Sequence, residues 1–375
     1  MRPLHKERLR EYALTSPSAQ RAVDVGLADA EWFHPHIPRQ RLKELMRRSD
    51  GPALVYTAIW LGGLIMTAVM AILTWGSWWT LPFLLVYGLL YASASDSRWH
   101  ETGHGTPFKT RWLSTDIYQI SSIMLVRDPT FWRWSHARHH TDTIIVGRDP
   151  EILAMRPARL ARISLNFFGL VDAPQGWWLM LQHAAGRLTA DDRLIVPESE
   201  WHRIPRTARV WVVIYAAMIA ACFVTGSILP FLLIGGPRIY GSFMLVIYAL
   251  TQHTGLGENV LDHRLNTRTV KMCWLNRFMY WNMNYHIEHH LYPMVPFHQL
   301  PALHEEIKKD LPAPYPSIWA AYQEIIPAVI KQLRDPSYYV RRELPPDAPP
   351  YYEPVSEAAL ETWDREFAIN SQREP

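Results

Sequence analysis

Between Gly51 and Ser95 the chain runs for 45 residues without one charged side chain, and no other feature limits its fold so severely. A helix crosses the hydrocarbon layer of a bilayer in about 20 residues, so this run accommodates a helical hairpin. Gly76, Ser77, Trp78, Trp79 and Thr80 supply its turn, with indoles of the kind that settle at a membrane interface. A second uncharged run, Val210 to Pro237, is separated only by Arg238 from a third, Ile239 to Gly257. Together they predict another hairpin, turning around Gly235, Gly236 and Pro237. The expected spans lie near 53–75, 78–94, 210–233 and 239–257. A mean hydropathy of −0.11 does not contradict them, because it averages four spans with long hydrophilic segments.

Basic residues flank both hairpins. Lys43, Arg47 and Arg48 precede the first and Arg98, Lys109 and Arg111 follow it. Arg203, Arg206 and Arg209 precede the second, with Arg264, Arg268 and Lys271 beyond it. The positive-inside rule then places both termini and the large polar segments in the cytoplasm. The first fifty residues are charged from Arg2 onward and contain no apolar signal-peptide core, so no cleaved leader is expected. Lys and Arg total 38 against 35 Asp and Glu, a net charge of +3 that does not point to nucleic acid. Two cysteines, Cys222 and Cys273, exclude a disulfide scaffold, a four-cysteine zinc site and an internal iron–sulfur cluster.

Outside the spans, residues 160–181 are broken by Asp172 and Pro174 and read as interfacial helices. Residues 299–310 and 317–335 have helical periodicity, 345–354 form a Pro-rich tail, and 356–370 could make a short terminal helix. The expected fold is therefore an all-α integral membrane protein with four transmembrane helices and a helical cytoplasmic cap. It divides into an N-terminal segment 1–50, a membrane domain 51–335 and a C-terminal tail 336–375.

Nine of the seventeen histidines fall in four clusters: His100 and His104; His136, His139 and His140; His253; and His286, His289 and His290. Positions i, i+3 and i+4 share one face of a helix, so HETGH, HARHH and HIEHH each aim two or three imidazoles at one point. The pattern HxxHH occurs twice, where random placement predicts roughly 0.03 matches. Each cluster follows or ends an expected span, so all nine can meet at the cytoplasmic mouth of the bundle. Nine imidazoles exceed what one tetrahedral zinc takes and suit two octahedral irons.

These three boxes, placed after successive hairpins, resemble those of the membrane fatty acid desaturase and hydroxylase superfamily over roughly Leu54 to Lys309. HHTDTIIVGRDPEI, QHTGLGENVLDHRLNTRTV and NMNYHIEHHLYPMVPFHQLPALH extend the likeness. The last two are similar to a bacterial branch containing rhizopine and hydrocarbon oxygenases, which implies a bacterial inner membrane. The resemblance implies a non-haem di-iron centre held by all nine clustered histidines, using dioxygen to remove hydrogen from an unactivated C–H bond. Loss of two hydrogens gives an alkene, delivery of a hydroxyl gives an alcohol, and at an O-methyl carbon that alcohol collapses with loss of formaldehyde. An acyl-lipid or hydrocarbon chain is the expected substrate, with a small methyl ether as the alternative.

The chain departs from the acyl-CoA desaturase pattern at Ala249, where that pattern places an Asn one turn before the lone His253. It has no HPGG motif for a fused cytochrome b5, so electrons are expected from a ferredoxin or rubredoxin-type carrier with its reductase. Arg127, Arg133, Arg138 and Arg148 are candidates for its docking. Glu101, Asp142, Asp149 and Glu288 are placed to orient imidazole N–H groups from behind. Trp132, Trp134 and Trp281 could wall a substrate path. The other histidines, His5, His34, His36, His183, His202, His298 and His304, are expected at the surface or interface, and His263 in a structural hydrogen bond. HETGH also satisfies the H-E-x-x-H pattern of zinc metalloproteases. A non-catalytic metal carrier built on the same cage is a third reading.

Overall fold

The computed structural model describes residues 3–28 and 30–355, so the helix expected at 356–370 lies outside the described residues. The architecture is all-helical. Its principal elements are α1 (Asp50–Leu73), α2 (Thr80–Gly88), α3 (Ala94–His104), α4 (Arg111–Leu125), α5 (Pro129–Thr141) and α6 (Asp172–Ala184). They continue with α7 (Arg203–Thr225), α8 (Leu229–Ile234), α9 (Pro237–Tyr240), α10 (Phe243–His253), α11 (His286–Leu291), α12 (Leu300–Ile307) and α13 (Ile318–Gln332). Among the described residues no strand forms, and only Thr269 with Tyr285 and Val270 with Tyr315 make isolated bridges.

Among the described residues, two helical stretches are long and apolar enough to cross a membrane, Arg39–Leu73 and Glu198–Thr225. Their apolar parts, α1 and α7, bury only one stripe each. On α1 it is Ala53, Thr57, Trp60, Leu64, Thr67 and Ala71, at alternating steps of three and four. The outward face is as apolar as the inward one, with Val55, Ile59, Ile65, Met66 and Leu73 all exposed. Water would disfavour such a surface, whereas lipid would not.

The arms that return from these helices are interrupted. After the turn at Gly76 the chain climbs through α2, passes a π-helical turn at Leu89–Ser93, and continues as α3. The Trp60 indole donates to the Leu90 carbonyl in that wide turn at 2.8 Å, supplying a partner from α1. The second hairpin turns at Gly226, not at Gly235 to Pro237 as the apolar run suggests. Gly226 takes the left-handed conformation (φ 60°) that ends α7, and Ser227 Oγ accepts from Leu229 N to start α8. Gly235 and Gly236 are instead a break in the returning arm between α8 and α9.

The two interrupted arms lock together at their breaks. Ser93 Oγ donates to Gly241 O at 2.6 Å and accepts from Leu245 N at 3.0 Å, while Tyr87 donates to Leu233 O at 2.7 Å. The backbones approach so closely that a Cβ on Gly241 would stand 2.0 Å from Gly88 O.

Three arginines that read as membrane-flanking charges are fully buried instead. Arg98 donates to the carbonyls of Met279 and Phe278 and lies between the rings of Trp60, Phe278 and Trp281, tying α3 to the segment before α11. Arg264 binds Asp262 and the carbonyls of Pro349 and Pro350, so the Pro-rich tail is pinned to the body. Arg268 reaches Thr254 O and Glu324 on α13. Composition cannot separate a guanidinium that faces phosphate from one that satisfies buried carbonyls.

Gly241→Ala is expected to lower stability by at least about 1–3 kcal/mol, since backbone stands where the methyl must go. Gly62→Ala, on the open face of α1 with no atom within 4 Å of the added carbon, should be neutral or stabilising by up to about 1 kcal/mol. Thermal unfolding of the detergent-solubilised variants compares the two.

Candidate metal centre

Four elements deliver the nine clustered histidines to one place. α3 carries His100 and His104 on one face and stops at Gly105, which adopts φ 66°. α5 starts on Asp128, whose carboxylate accepts from the backbone N–H groups of Thr130 and Phe131, and carries His136, His139 and His140 in its last two turns. His253 is the final residue of α10, and α11 is a short helix composed largely of the third box. The nine ligand atoms fall into two groups, His100, His104, His136, His140 and His289 in one and His139, His253, His286 and His290 in the other. Within each group they lie within 4.8 Å of one another. The groups abut: the rings of His140 and His290 stack with centroids 4.4 Å apart.

The outer nitrogens determine what the inner ones offer. His253 Nδ1 lies 2.8 Å from the Asn266 carbonyl, which can only accept, so that nitrogen carries the proton. His139 Nδ1 donates to Asp149 at 2.8 Å and His136 Nδ1 to Glu151 at 2.9 Å. Thr143 gives its hydroxyl proton to His139 O at 2.6 Å and so accepts from His290 Nδ1 at 3.2 Å. In each case Nε2 is left as an unprotonated lone pair aimed inward. The Nε2 atoms of His136 and His104 stand 3.0 Å apart, and the pairs His140–His136, His289–His140 and His290–His286 stand 3.2 Å apart. Nitrogens about 2.1 Å from a common cation, at right angles or a little more, are separated by about 3.0–3.4 Å. His253 Nε2 and both nitrogens of His100 are buried without a hydrogen-bond partner among the described residues. The spacing matches nitrogens that share a cation, and these residues fit a pair of metal ions.

Protonation agrees with that fit. Burial, then repulsion from neighbouring rings, pushes His104, His140, His286, His289 and His290 well below the ordinary imidazole range, leaving the neutral form that metals require. Burial opposes ionisation of Glu151, but His136 and the Ser135 hydroxyl outweigh it and hold the carboxyl down to about 2.

The family model for fatty acid desaturases matches residues 76–322, which contain every one of these elements. The chain belongs to the fatty acid desaturase family. It is 24% identical over 268 residues to an acyl-lipid (9-3)-desaturase from Physcomitrium patens, a match covering 63% of this chain and 49% of the relative. It is 22% identical over 246 residues to a fatty acid conjugase from Calendula officinalis, covering 56% of this chain and 63% of that one. The matches thus span 49% and 63% of the length of these relatives.

Among the acids expected behind the rings of this desaturase-family centre, Asp149 orients His139 and also accepts from Ile144 N. Glu101 comes within 3.8 Å of His289 Nδ1, but its hydrogen bonds go to Thr106 and Phe297 N. Burial raises its carboxyl to about 8. Asp142 makes no hydrogen bond or ion pair with a histidine among the described residues; it is held by Arg148 and Arg138. Glu288 is turned from the centre toward His304 and Thr269, joining α11 to α12. His304 and His183 are accordingly buried, not superficial, His183 donating to Asp192 at 2.9 Å. His263 is buried, stacked on Trp32 at 4.3 Å with its ring 5.0 Å from that of His290. Glu151, Thr143 and the Asn266 carbonyl were missed by sequence reasoning. Glu151 stands in the GRDPEI segment that carried part of the family likeness, and that was its one available signal.

A cavity of about 610 Å³ opens onto His100 and His136 of one group and His139, His253 and His286 of the other. Trp99, Trp132, Met180 and Val246 line it, and Ala249 leaves open the space that a larger residue would take. Trp281 is not on its wall; it stacks on Phe297 in the core, and Trp134 faces outward. Of the four arginines considered for a docking face, Arg127 lines this cavity paired with Asp96, and Arg138 and Arg148 share Asp142.

Asp149→Asn and Glu151→Gln should each weaken metal binding about 10–100-fold, because the ring behind each loses its orienting acceptor. Asp142→Asn should leave affinity unchanged, and metal competition with a chelator, read by elemental analysis, separates the three.

Proposed function

We propose that this chain is a dioxygen-dependent, non-haem di-iron membrane oxidoreductase that desaturates or hydroxylates an acyl-lipid or hydrocarbon chain. The observation that carries the reading is the convergence of nine imidazoles in a group of five and a group of four, with the Nε2 lone pairs of His139, His136, His290 and His253 turned inward by Asp149, Glu151, Thr143 and the Asn266 carbonyl. Two six-coordinate ions so held would keep one and two positions free, and the acceptors behind His136, His139, His253 and His290 set the tautomer of those four rings. Bound there, two irons would supply the oxidising power to take hydrogen from an unactivated C–H bond, which no side chain can do. The protein's part is to hold nine neutral donors, to place a substrate carbon at the cavity end bordered by His100 and His139, and to keep bulk water out with Trp99 and Trp132. The relatives' names, acyl-lipid desaturase and fatty acid conjugase, support an acyl substrate.

In this reading α1, α2 with its π-helical turn, α7 and the broken α8–α10 arm form the four membrane passages, two of them interrupted. Both termini and the metal centre lie on the cytoplasmic side of a bacterial inner membrane. Electrons come from a ferredoxin or rubredoxin-type carrier and its reductase.

A second reading, oxidation of a small polar molecule such as a methyl ether, is favoured by one observation: guanidinium–carboxylate pairs, Arg127–Asp96 and Arg156–Glu258, on the cavity wall. The zinc-protease reading of HETGH fits less well. Glu101, which would be its general base, is fully buried and bonded to Thr106 and Phe297 N, and His100 and His104 are grouped with three further histidines.

The full chain expressed with a ferredoxin system should contain close to two irons, and mass spectrometry should find a new double bond or hydroxyl in lipids or hydrocarbons. Released formaldehyde would select the methyl ether, and a single zinc with unchanged lipids and metabolites would refute the proposal. His139→Ala and His289→Ala should abolish iron loading and turnover while membrane insertion persists; full turnover by either purified variant would remove that ligand from the centre.

A further inference from the structure

We propose that Arg238 receives a negatively charged group of the substrate, a carboxylate or a phosphate, at the end of the cavity remote from the histidines. The inference rests on the reading of this cavity as the substrate site. Four guanidinium groups line it, those of Arg127, Arg156, Arg162 and Arg238. Arg127 is paired with Asp96 at 2.6 Å, Arg156 with Glu258 at 3.3 Å, and Arg162 with Asp172 at 3.1 Å. Arg238 alone has no carboxylate within 4 Å among the described residues, although it is only 4% exposed. Its Nε donates to Leu125 O at 3.1 Å and its Nη1 to Ser242 Oγ at 2.7 Å. Nη2 makes no hydrogen bond among the described residues, and the Arg238 side chain lines the cavity.

Part of this arrangement is structural. Leu125 is the last residue of α4, and a cation at a helix C-terminus meets about half a unit of opposing charge. That accounts for Nε; the rest of the charge feels Asp172 and Asp96 only at longer range, opposed by Arg127, and no ion pair closes on it. In the four-passage arrangement Arg238 lies within the returning arm, where an unpaired guanidinium is costly and marks a ligand path. The free edge formed by Nη2 and the second hydrogen of Nη1 matches the two oxygens of a carboxylate or phosphate.

The geometry also fixes where the anion would sit. Ser242 immediately precedes α10 and His253 ends it, so the eleven-residue helix separates anion and metal ends of the cavity by about 16 Å. A ligand that reaches both is extended, apolar along its length and charged at one end.

The test is binding by the full-length protein in lipid nanodiscs, followed by quenching of the cavity tryptophans. The probes are decanoate, decyl phosphate and the uncharged methyl decanoate. The wild-type protein should prefer one anion over the ester by roughly tenfold or more, as a charge-assisted hydrogen bond provides, and the preferred anion tells carboxylate from phosphate. Arg238→Gln should erase the preference while affinity for methyl decanoate and the metal content hold. Should that variant fail to fold, Arg238→Lys replaces it, with the preference expected to fall at least about threefold. Equal binding of ester and anions by the wild-type protein, or a preference that survives substitution, overturns the assignment. Loss of the anion preference alone leaves the oxidoreductase reading standing, whereas a cavity that binds none of the three probes removes the acyl reading along with this one.

Discussion

Nine imidazoles gathered in two abutting groups are the constraint around which this protein is built. Burial disfavours protonation of His104, His140, His286, His289 and His290, so positive charge for these donors has to come from a cation. The scaffold fixes four of the nine rings from behind, those of His253, His290, His139 and His136. A carbonyl at Asn266, a hydroxyl at Thr143 and carboxylates at Asp149 and Glu151 each hold an outer nitrogen. The tautomers follow from elementary donor and acceptor counting. Once the outer proton is placed, the inner atom has only one thing to offer.

Burying so much polarity requires its own supports. Arg98, Arg264 and Arg268 cross between segments far apart in sequence and end on carbonyls or carboxylates, so the connections around the histidine-bearing helices are tied to the body. The same satisfaction rule governs the arms. Each interruption in the returning helices is met by a side chain from elsewhere, such as Trp60 at Leu90 and Tyr87 at Leu233. Irregular backbone in an apolar layer is tolerated where protein supplies the missing partners.

Much of this was legible in the sequence. Uncharged runs marked both hairpins, and the i, i+3, i+4 spacing of the boxes put two or three rings on each face before any coordinates were known. The turn at Gly226 was hidden because the residues after it, Ile228 to Ile234, are as apolar as those before, and periodicity has no contrast to detect there. Asp142 and Glu288 were credited with imidazoles because they sit beside boxes, but neighbours in sequence on a helix face different ways. Glu151 escaped because the loop that carries it has no period, and only folding brings it to His136. Arg238 was visible as the one charge dividing two apolar runs, yet a sequence cannot say whether such a charge ends a helix or looks into a chamber.

The π-helical turn at Leu89–Ser93 determines the azimuth of everything above it. An α-helix advances about 100° per residue, so the extra residue accommodated by the wide turn sets the angle at which His100 and His104 leave the arm. Excising one residue from that turn would let the arm relax into a regular helix, with tidier hydrogen bonding than before. Both imidazoles would then swing through roughly a quarter of a revolution, toward neighbours that are not nitrogen. Local irregularity in this arm acts as a compass bearing, and a chain with smoother geometry would point its ligands the wrong way.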